Sequence, residues 1–177
     1  AFLISTVGLD VDIRDGQAAV HATLKLSRNP AHPRAGEPLV LDGEDLELLC
    51  VAIDGRVLAA DEYRQDDRHL AIARPPEAFT LETTVRFDPW KNTKLEGLYA
   101  TKNGLVTQCE AEGFRRITYF IDRPDVMARY TVAICADKAR FPRLLANGNL
   151  VEEGEGEPAG WFVQPPPTKT QGVRHWA

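Results

Sequence analysis

The feature of this sequence that most limits its fold is an alternation of apolar and polar side chains. Val7 to Ile13 and Val20 to Leu26 both alternate in this way, and Asp15-Gly16 lies between them. Asp-Gly favours the tight turn that joins two antiparallel strands. Successive side chains of a strand point to opposite faces, so each segment has one apolar and one polar face. The pattern predicts an antiparallel pair with one face in the core and one in water.

The same signals recur along most of the chain. A second Asp-Gly, Asp54-Gly55, follows an apolar segment, Phe79 to Phe87 alternates again, and residues 70–73 and 126–136 are rich in strand formers. Twelve prolines leave little room for long helices. We therefore predict an all-β fold, an antiparallel β-sandwich or saddle, for a chain whose 177 residues suit one domain.

The interval from Asp88 to Asp125 lacks this regularity. Its segments Leu98-Tyr99 and 105–107 are long enough only for brief strands, and Gly113 to Ile121 has room for at most one short helix. A long, weakly periodic stretch inside a β domain is typical of a functional loop region. We therefore expect the functional residues in this interval.

Composition excludes several classes of partner. A net charge of −5 repels phosphate backbones, which predicts no nucleic-acid partner. The longest apolar run, Leu48 to Ile53, is far shorter than the roughly 20 residues that cross a bilayer, which predicts no membrane span. The apolar start has no basic flank, so we expect no signal peptide. The three cysteines lack Cys-x-x-Cys spacing, which favours reduced thiols and a cytoplasmic location.

The motifs of common hydrolases are missing. The sequence contains no His-Glu-x-x-His, no Gly-x-Ser-x-Gly and no glycine-rich phosphate loop. Cys109 could act as a nucleophile in a cysteine-dependent enzyme. Its neighbours Glu110 and Glu112 would raise the pKa of the thiol and disfavour the reactive thiolate, so this is the least favoured hypothesis.

Gln108 and Glu110 form the remaining candidate site. If residues 107–110 stay extended, these two side chains point to the same side. An amide beside a carboxylate is a suitable receptor for an ammonium group. On these residues alone, a pair of solvated surface groups is the favoured interpretation, because surface carboxylates are usually just solvated.

The segment around this pair resembles the aminopeptidase N family, and in particular the bacterial alanyl-aminopeptidase type of these gluzincin zinc exopeptidases. The resemblance extends from about Asp88 to Leu150 and is carried by an ordered series of motifs. These are NTKLEGLY at 92–99, TQCEAEGFR at 107–115, ITYFIDRPDV at 117–126, ADK at 136–138 and LANGN at 145–149.

The resemblance implies that residues 1–164 are the saddle-shaped N-terminal β domain of such an enzyme. In the family this domain precedes a thermolysin-like catalytic domain, which binds the zinc. The family's zinc helix and its Gly-x-Met-Glu-Asn motif are absent here. We therefore expect no catalytic residue, no metal ligand and no cofactor in this chain, and no peptidase activity from the chain alone. Its expected partners are the catalytic domain and the amino terminus of a peptide substrate.

By the same resemblance, Glu110 binds the free α-ammonium of the substrate and Gln108 lines the subsite for its first side chain. We expect Glu112 and Arg115 to pair structurally, and Arg123-Pro124-Asp125 to fix a turn.

Residues 165–177 depart from the family pattern. Three consecutive prolines open this segment and cannot donate to a β-ladder, which predicts a proline-rich extended tail. The main alternative for the whole chain is a stand-alone β-sandwich module that binds a protein or peptide and has no enzymatic role.

Overall fold

The structure, a computed structural model, describes residues 2–31, 36–155 and 171–176. Within these ranges the chain forms strands and one 3-10 helix, Phe114–Arg116. The strands are β1 (Phe2–Arg14), β2 (Gln17–Arg28), β3 (Leu39–Asp42), β4 (Glu47–Ile53), β5 (Arg56–Val57), β6 (Tyr63–Gln65), β7 (His69–Ile72), β8 (Ala78–Phe87), β9 (Gly97–Thr101), β10 (Gly104–Gln108), β11 (Arg129–Asp137), β12 (Leu150–Glu155) and β13 (Gln171–Trp176). The predicted all-β class with one short helix is confirmed.

The largest sheet has eight strands in the order β12-β13-β11-β1-β2-β8-β4-β5. β1 and β2 pair antiparallel around Asp15-Gly16 with Val11 opposite Val20, as the alternation predicts. β8 pairs antiparallel with β2 and buries Phe79, Leu81 and Val85 on the alternating face. Apolar periodicity and turn chemistry therefore account for the centre of this sheet.

Two features of β1 differ from the prediction. β1 and β11 pair parallel, so the large sheet is mixed rather than purely antiparallel. More than a hundred residues separate these strands, and no tight turn between them dictates an antiparallel return. Asp12, predicted on the water-facing side, is only 3% exposed and forms an ion pair with Arg14. The second face of β1 is therefore covered here.

A smaller sheet in the order β3-β7-β6 lies over the large one. Its inward residues Leu39, Leu41 and Leu70 join the same apolar core as Leu24 and Leu81 of the large sheet. Two sheets that share one core form a sandwich-like architecture.

The weakly periodic interval carries a separate two-stranded sheet, β9-β10, followed by the 3-10 helix. Backbone hydrogen bonds in both directions between Asp42 and Phe120 attach the segment after the helix to the end of β3. Thr83 of β8 and Thr118, both fully buried, contact each other through their hydroxyl oxygens at 3.4 Å. The irregular interval is thus anchored to both sheets.

The predicted tail over 165–177 falls partly outside the described residues. Of this segment, the structure describes Gln171–Trp176, which form β13 between β11 and β12 in the large sheet. These six residues are hydrogen-bonded to both neighbouring strands within the sheet. In the described part of the chain, no helix has the length and hydropathy needed to cross a bilayer.

Candidate functional site

Gln108 and Glu110 lie at the point where β10 ends. Gln108 is the last residue of β10 and pairs with Gly97 of β9, whereas Glu110 already lies in a turn. The peptide bond between Glu110 and Ala111 is cis. Because β10 ends at Gln108 and Glu110 lies in a turn, the predicted extended geometry over 107–110 is wrong beyond Gln108. The two residues still lie together, because the Gln108 side-chain Nε2 donates a hydrogen bond to the Glu110 carbonyl oxygen at 3.1 Å.

The turn after β10 is closed by two glycines. The Gly113 N–H donates to the Cys109 carbonyl oxygen at 2.8 Å. A β-carbon on Gly113 would lie 3.2 Å from the backbone nitrogen of Gly97, and one on Gly97 would lie 2.6 Å from Cβ of Arg116. Gly97 also has a positive φ of 69°, which favours glycine. Close approach of the backbones therefore requires glycine in two of the motifs that carry the family resemblance, those at 92–99 and 107–115.

Arg115 connects this turn to the interior. Its Nε and its backbone N–H both donate to Oδ2 of Asp122 at 3.0 Å. One terminal nitrogen of Arg115 lies 3.1 Å from the Glu112 carboxylate and donates to the Asp122 carbonyl oxygen at 3.0 Å. The expected Glu112–Arg115 pair is confirmed. Asp122 itself is buried, and its N–H donates to Oδ2 of Asp42 at 3.0 Å.

Arg116 makes a second set of ion pairs. It contacts the carboxylates of Glu44 and Asp45 in the loop after β3, and that of Glu96 just before β9. Its side chain is 11% exposed, so these contacts are partly shielded from water. Arg116 therefore joins three parts of the chain beneath the candidate site.

Glu110 differs from every other carboxylate between 108 and 125. Glu112 and Asp122 pair with Arg115, and Asp125 pairs with Arg123 in two hydrogen bonds of 2.9 Å, which confirms the expected turn. Glu110 is exposed, and its carboxylate has no basic partner among the described residues. It is thus the one acidic group of this segment left available to a cationic ligand.

The structure argues against Cys109 as a nucleophile. Burial, followed by the nearby charge of Asp122, raises the pKa of the Cys109 thiol to about 11. The sequence also predicts a raised pKa for this thiol, but through the charges of Glu110 and Glu112. In the structure the causes are burial and Asp122. Little thiolate is present near neutral pH, and a thiol in that state is a poor nucleophile.

The residues that shape the site were only partly visible in the sequence. Asp122 is the buried acceptor for Arg115, a role that no motif in the sequence predicts. Phe114, Phe120 and Tyr130 form an aromatic cluster beside it, with Phe114 edge-on to Phe120 at 5.0 Å. Their spacing in sequence follows no strand or helix period, so only the fold reveals the contact.

Among the described residues, neither a metal cluster nor the neighbouring cavity contains the candidate pair. In the described ranges, no three His, Cys, Asp or Glu side chains come together as metal ligands. A cavity of about 590 Å³ beside β4 and β8 includes Asp45, Asp66 and Tyr119 but neither Gln108 nor Glu110. Gln108 and Glu110 are both exposed, so the candidate amine site lies on the open surface.

The sequence of this chain matches those of known proteins. The profile of the Peptidase M1 N-terminal domain matches residues 6–170. Over 163 residues the chain is 51% identical to aminopeptidase N of Caulobacter vibrioides and covers 18% of that protein. It is 43% identical to aminopeptidase N of Escherichia coli over 92% of this chain and 18% of that protein. The chain thus spans less than a fifth of the length of the curated relatives it matches.

Solved structures show the same fold. Aminopeptidase A of Legionella pneumophila, solved in complex with aspartic acid, matches with a TM-score of 0.85 and 30% identity, over 99% of this chain and 19% of that one. An M1 zinc metallopeptidase from Deinococcus radiodurans matches over 99% of this chain and 38% of that one, with a TM-score of 0.70. At 17% identity, this second likeness shows the fold alone. With the profile match and the identities above, the chain belongs to the family of peptidase M1 N-terminal domains.

Proposed function

We propose that this chain is the non-catalytic N-terminal domain of a zinc-dependent aminopeptidase, in which Glu110 and Gln108 receive the free amino terminus of the peptide substrate. The observation that carries the proposal is the exposed carboxylate of Glu110, which has no basic partner among the described residues, in a segment whose other carboxylates are paired. The described residues do not fit a zinc site, so the zinc and its ligands belong to the catalytic domain in this proposal.

The chemistry of the pair suits an amine. The Glu110 carboxylate can accept charged hydrogen bonds from an α-ammonium group, each contributing roughly 1.5–3 kcal/mol. The Gln108 amide nitrogen already donates to the Glu110 carbonyl oxygen, which leaves the amide oxygen of Gln108 for a ligand. A free amino terminus would therefore bind about ten- to a hundredfold better than a blocked one. Held there, a peptide presents only its first peptide bond to the catalytic group.

We also propose a partner and a cellular location for this domain. Because the described site is open, a wall of the cleft must come from elsewhere, and the catalytic domain of the same enzyme is the proposed partner. All three cysteines are free, which favours a reducing compartment and hence the cytoplasm.

The test uses the full-length aminopeptidase that carries this domain. Glu110→Gln should raise the KM for an alanyl substrate about ten- to a hundredfold, with little change in the folding of the domain. Asp61→Asn is the matched control, because Asp61 is an exposed acidic residue in a different loop. Unchanged kinetics for Glu110→Gln would remove Glu110 from the site.

A further inference from the structure

We infer that Arg115 is a positioning residue for the proposed amine site: it binds Glu112 and Asp122 together, and so leaves Glu110 as the carboxylate of the turn that meets the substrate's ammonium group. The inference rests on the proposed function of Glu110. It adds why Glu110 rather than Glu112 is available to the substrate, and what fixes the turn that carries it.

The contacts of Arg115 cross from an exposed turn to a buried anchor. On one side lies Glu112, whose side chain is 61% exposed, and on the other lies Asp122, whose side chain is 7% exposed. Asp122 is fixed in turn by its N–H, which donates to Asp42 at the end of β3. The guanidinium group of Arg115 therefore links the 109–113 turn, through Asp122, to the end of β3.

Selection between two carboxylates follows from the same contacts. Glu110 and Glu112 are two residues apart in the same turn, and an incoming ammonium group could pair with either. Arg115 forms an ion pair with the Glu112 carboxylate at 3.1 Å, whereas Glu110 has no basic partner among the described residues. A substrate held by one carboxylate has one position relative to the catalytic group, whereas two equivalent carboxylates would permit two.

Arginine suits this role better than lysine. The planar guanidinium donates in several fixed directions and here reaches Glu112, the Asp122 carboxylate and the Asp122 carbonyl oxygen at once. Burial lowers the pKa of Arg115, but the hydrogen bond to Asp122 and the charges of Asp42, Asp122 and Glu112 outweigh that effect and raise the pKa. Arg115 thus stays charged over the working pH range.

The first experiment measures the turn in this chain by NMR and hydrogen exchange. Arg115→Lys and Glu112→Gln should each speed exchange of the Gly113 N–H, which donates to Cys109, and shift the side-chain amide signals of Gln108. Glu112 is exposed, so its variant tests the inference even if Arg115→Lys does not fold. Arg123→Gln is the control, because Arg123 pairs with Asp125 in the same segment and both are exposed. Unchanged signals in both test variants would overturn the inference.

The second experiment measures kinetics in the full-length aminopeptidase with alanyl and N-acetyl-alanyl substrates. Arg115→Lys should raise KM about tenfold for the free amine while kcat stays within about twofold, and Arg123→Gln should change neither. Arg115→Lys could loosen the turn and leave KM unchanged, while Glu110→Gln raises KM. That result would overturn the positioning role of Arg115 but not the proposed function. Unchanged KM in Glu110→Gln would overturn both.

Discussion

Gly113 lies directly against Gln108: a β-carbon on Gly113 would come 2.6 Å from the Gln108 carbonyl oxygen. The same β-carbon would lie 3.0 Å from the Cα of Cys109. All these neighbours are backbone atoms, which cannot move aside as the end of a flexible side chain can. The turn that holds Glu110 therefore tolerates only glycine at this position.

Gly113→Ala should accordingly displace the turn and destabilise the domain by about 1–3 kcal/mol, since overpacking forces backbone shifts. Chemical denaturation of the isolated chain measures the change in unfolding free energy. Gly16→Ala is an informative comparison, because nothing lies near its β-carbon but its φ is +80°. If Gly113→Ala kept both full stability and the Gln108 side-chain NMR signals, the backbone contact would not constrain the site.

Cys109 should react slowly with iodoacetamide near neutral pH. Burial and the charge of Asp122 raise its pKa to about 11, against a usual value of 9.0, so the thiolate fraction at pH 8 falls on the order of a hundredfold. The rate should rise as pH approaches 11. Mass spectrometry of a Cys50→Ser, Cys135→Ser variant follows this one thiol, and a rate equal to that of free cysteine would contradict the expectation.

The stability contributed by the Arg56–Glu62 pair should depend on pH only in acid, where it is lost. The hydrogen bonds from Arg56 and from the Ala59 N–H lower the pKa of Glu62 from 4.5 to about 2. A carboxylate with a lowered folded-state pKa stabilises the fold above pH 4.5 and loses that contribution as pH falls toward 2. Glu62→Gln should therefore flatten the pH dependence of stability in this window. Both side chains are exposed, so the effect should be small and should weaken in salt, as thermal melts across pH can show.

The core of the sandwich should be far more sensitive than its surface. Leu81 in β8 is fully buried between the sheets, and Leu81→Ala should cost about 2–5 kcal/mol of unfolding free energy through lost packing and a cavity. Leu49 in β4 is 48% exposed, so Leu49→Ala should cost well under 1 kcal/mol. Equal losses of unfolding free energy for the two variants, measured by urea denaturation, would contradict this placement of the core.

The isolated chain should not hydrolyse an alanyl chromogenic substrate, even with added zinc. The expectation follows from the proposed division of labour, in which this domain binds the amine and the catalytic domain binds the metal. Turnover that a chelator abolishes, above the level of a mock-purified sample, would overturn it. Zinc-free and zinc-loaded full-length enzyme serve as controls for the assay.

Much of the fold could be predicted because the sequence patterns that favour strands and tight turns involve residues only a few positions apart. The alternation of β2 and β8 and the two Asp-Gly turns follow from side-chain direction and turn chemistry alone. The parallel partner of β1 could not be predicted in this way, since β11 is distant in sequence and its direction depends on the path between them. Asp12 shows the same limit, because its burial depends on strands that arrive later in the chain.

The candidate site divides in the same manner. Gln108 and Glu110 were named from residue chemistry and from the resemblance of their motifs. Their relative geometry was predicted wrongly, because the strand stops at Gln108 where Gly97 and Gly113 bring two backbones together. The sequence by itself thus determined the all-β class, the turns, the family and the residue types of the site, which depend on neighbours within a few positions. Only the tertiary structure decided that Arg115 and buried Asp122 hold the turn and that Glu110 has no basic partner among the described residues. The reason is that contacts and ion pairs between distant segments exist only once the chain is folded.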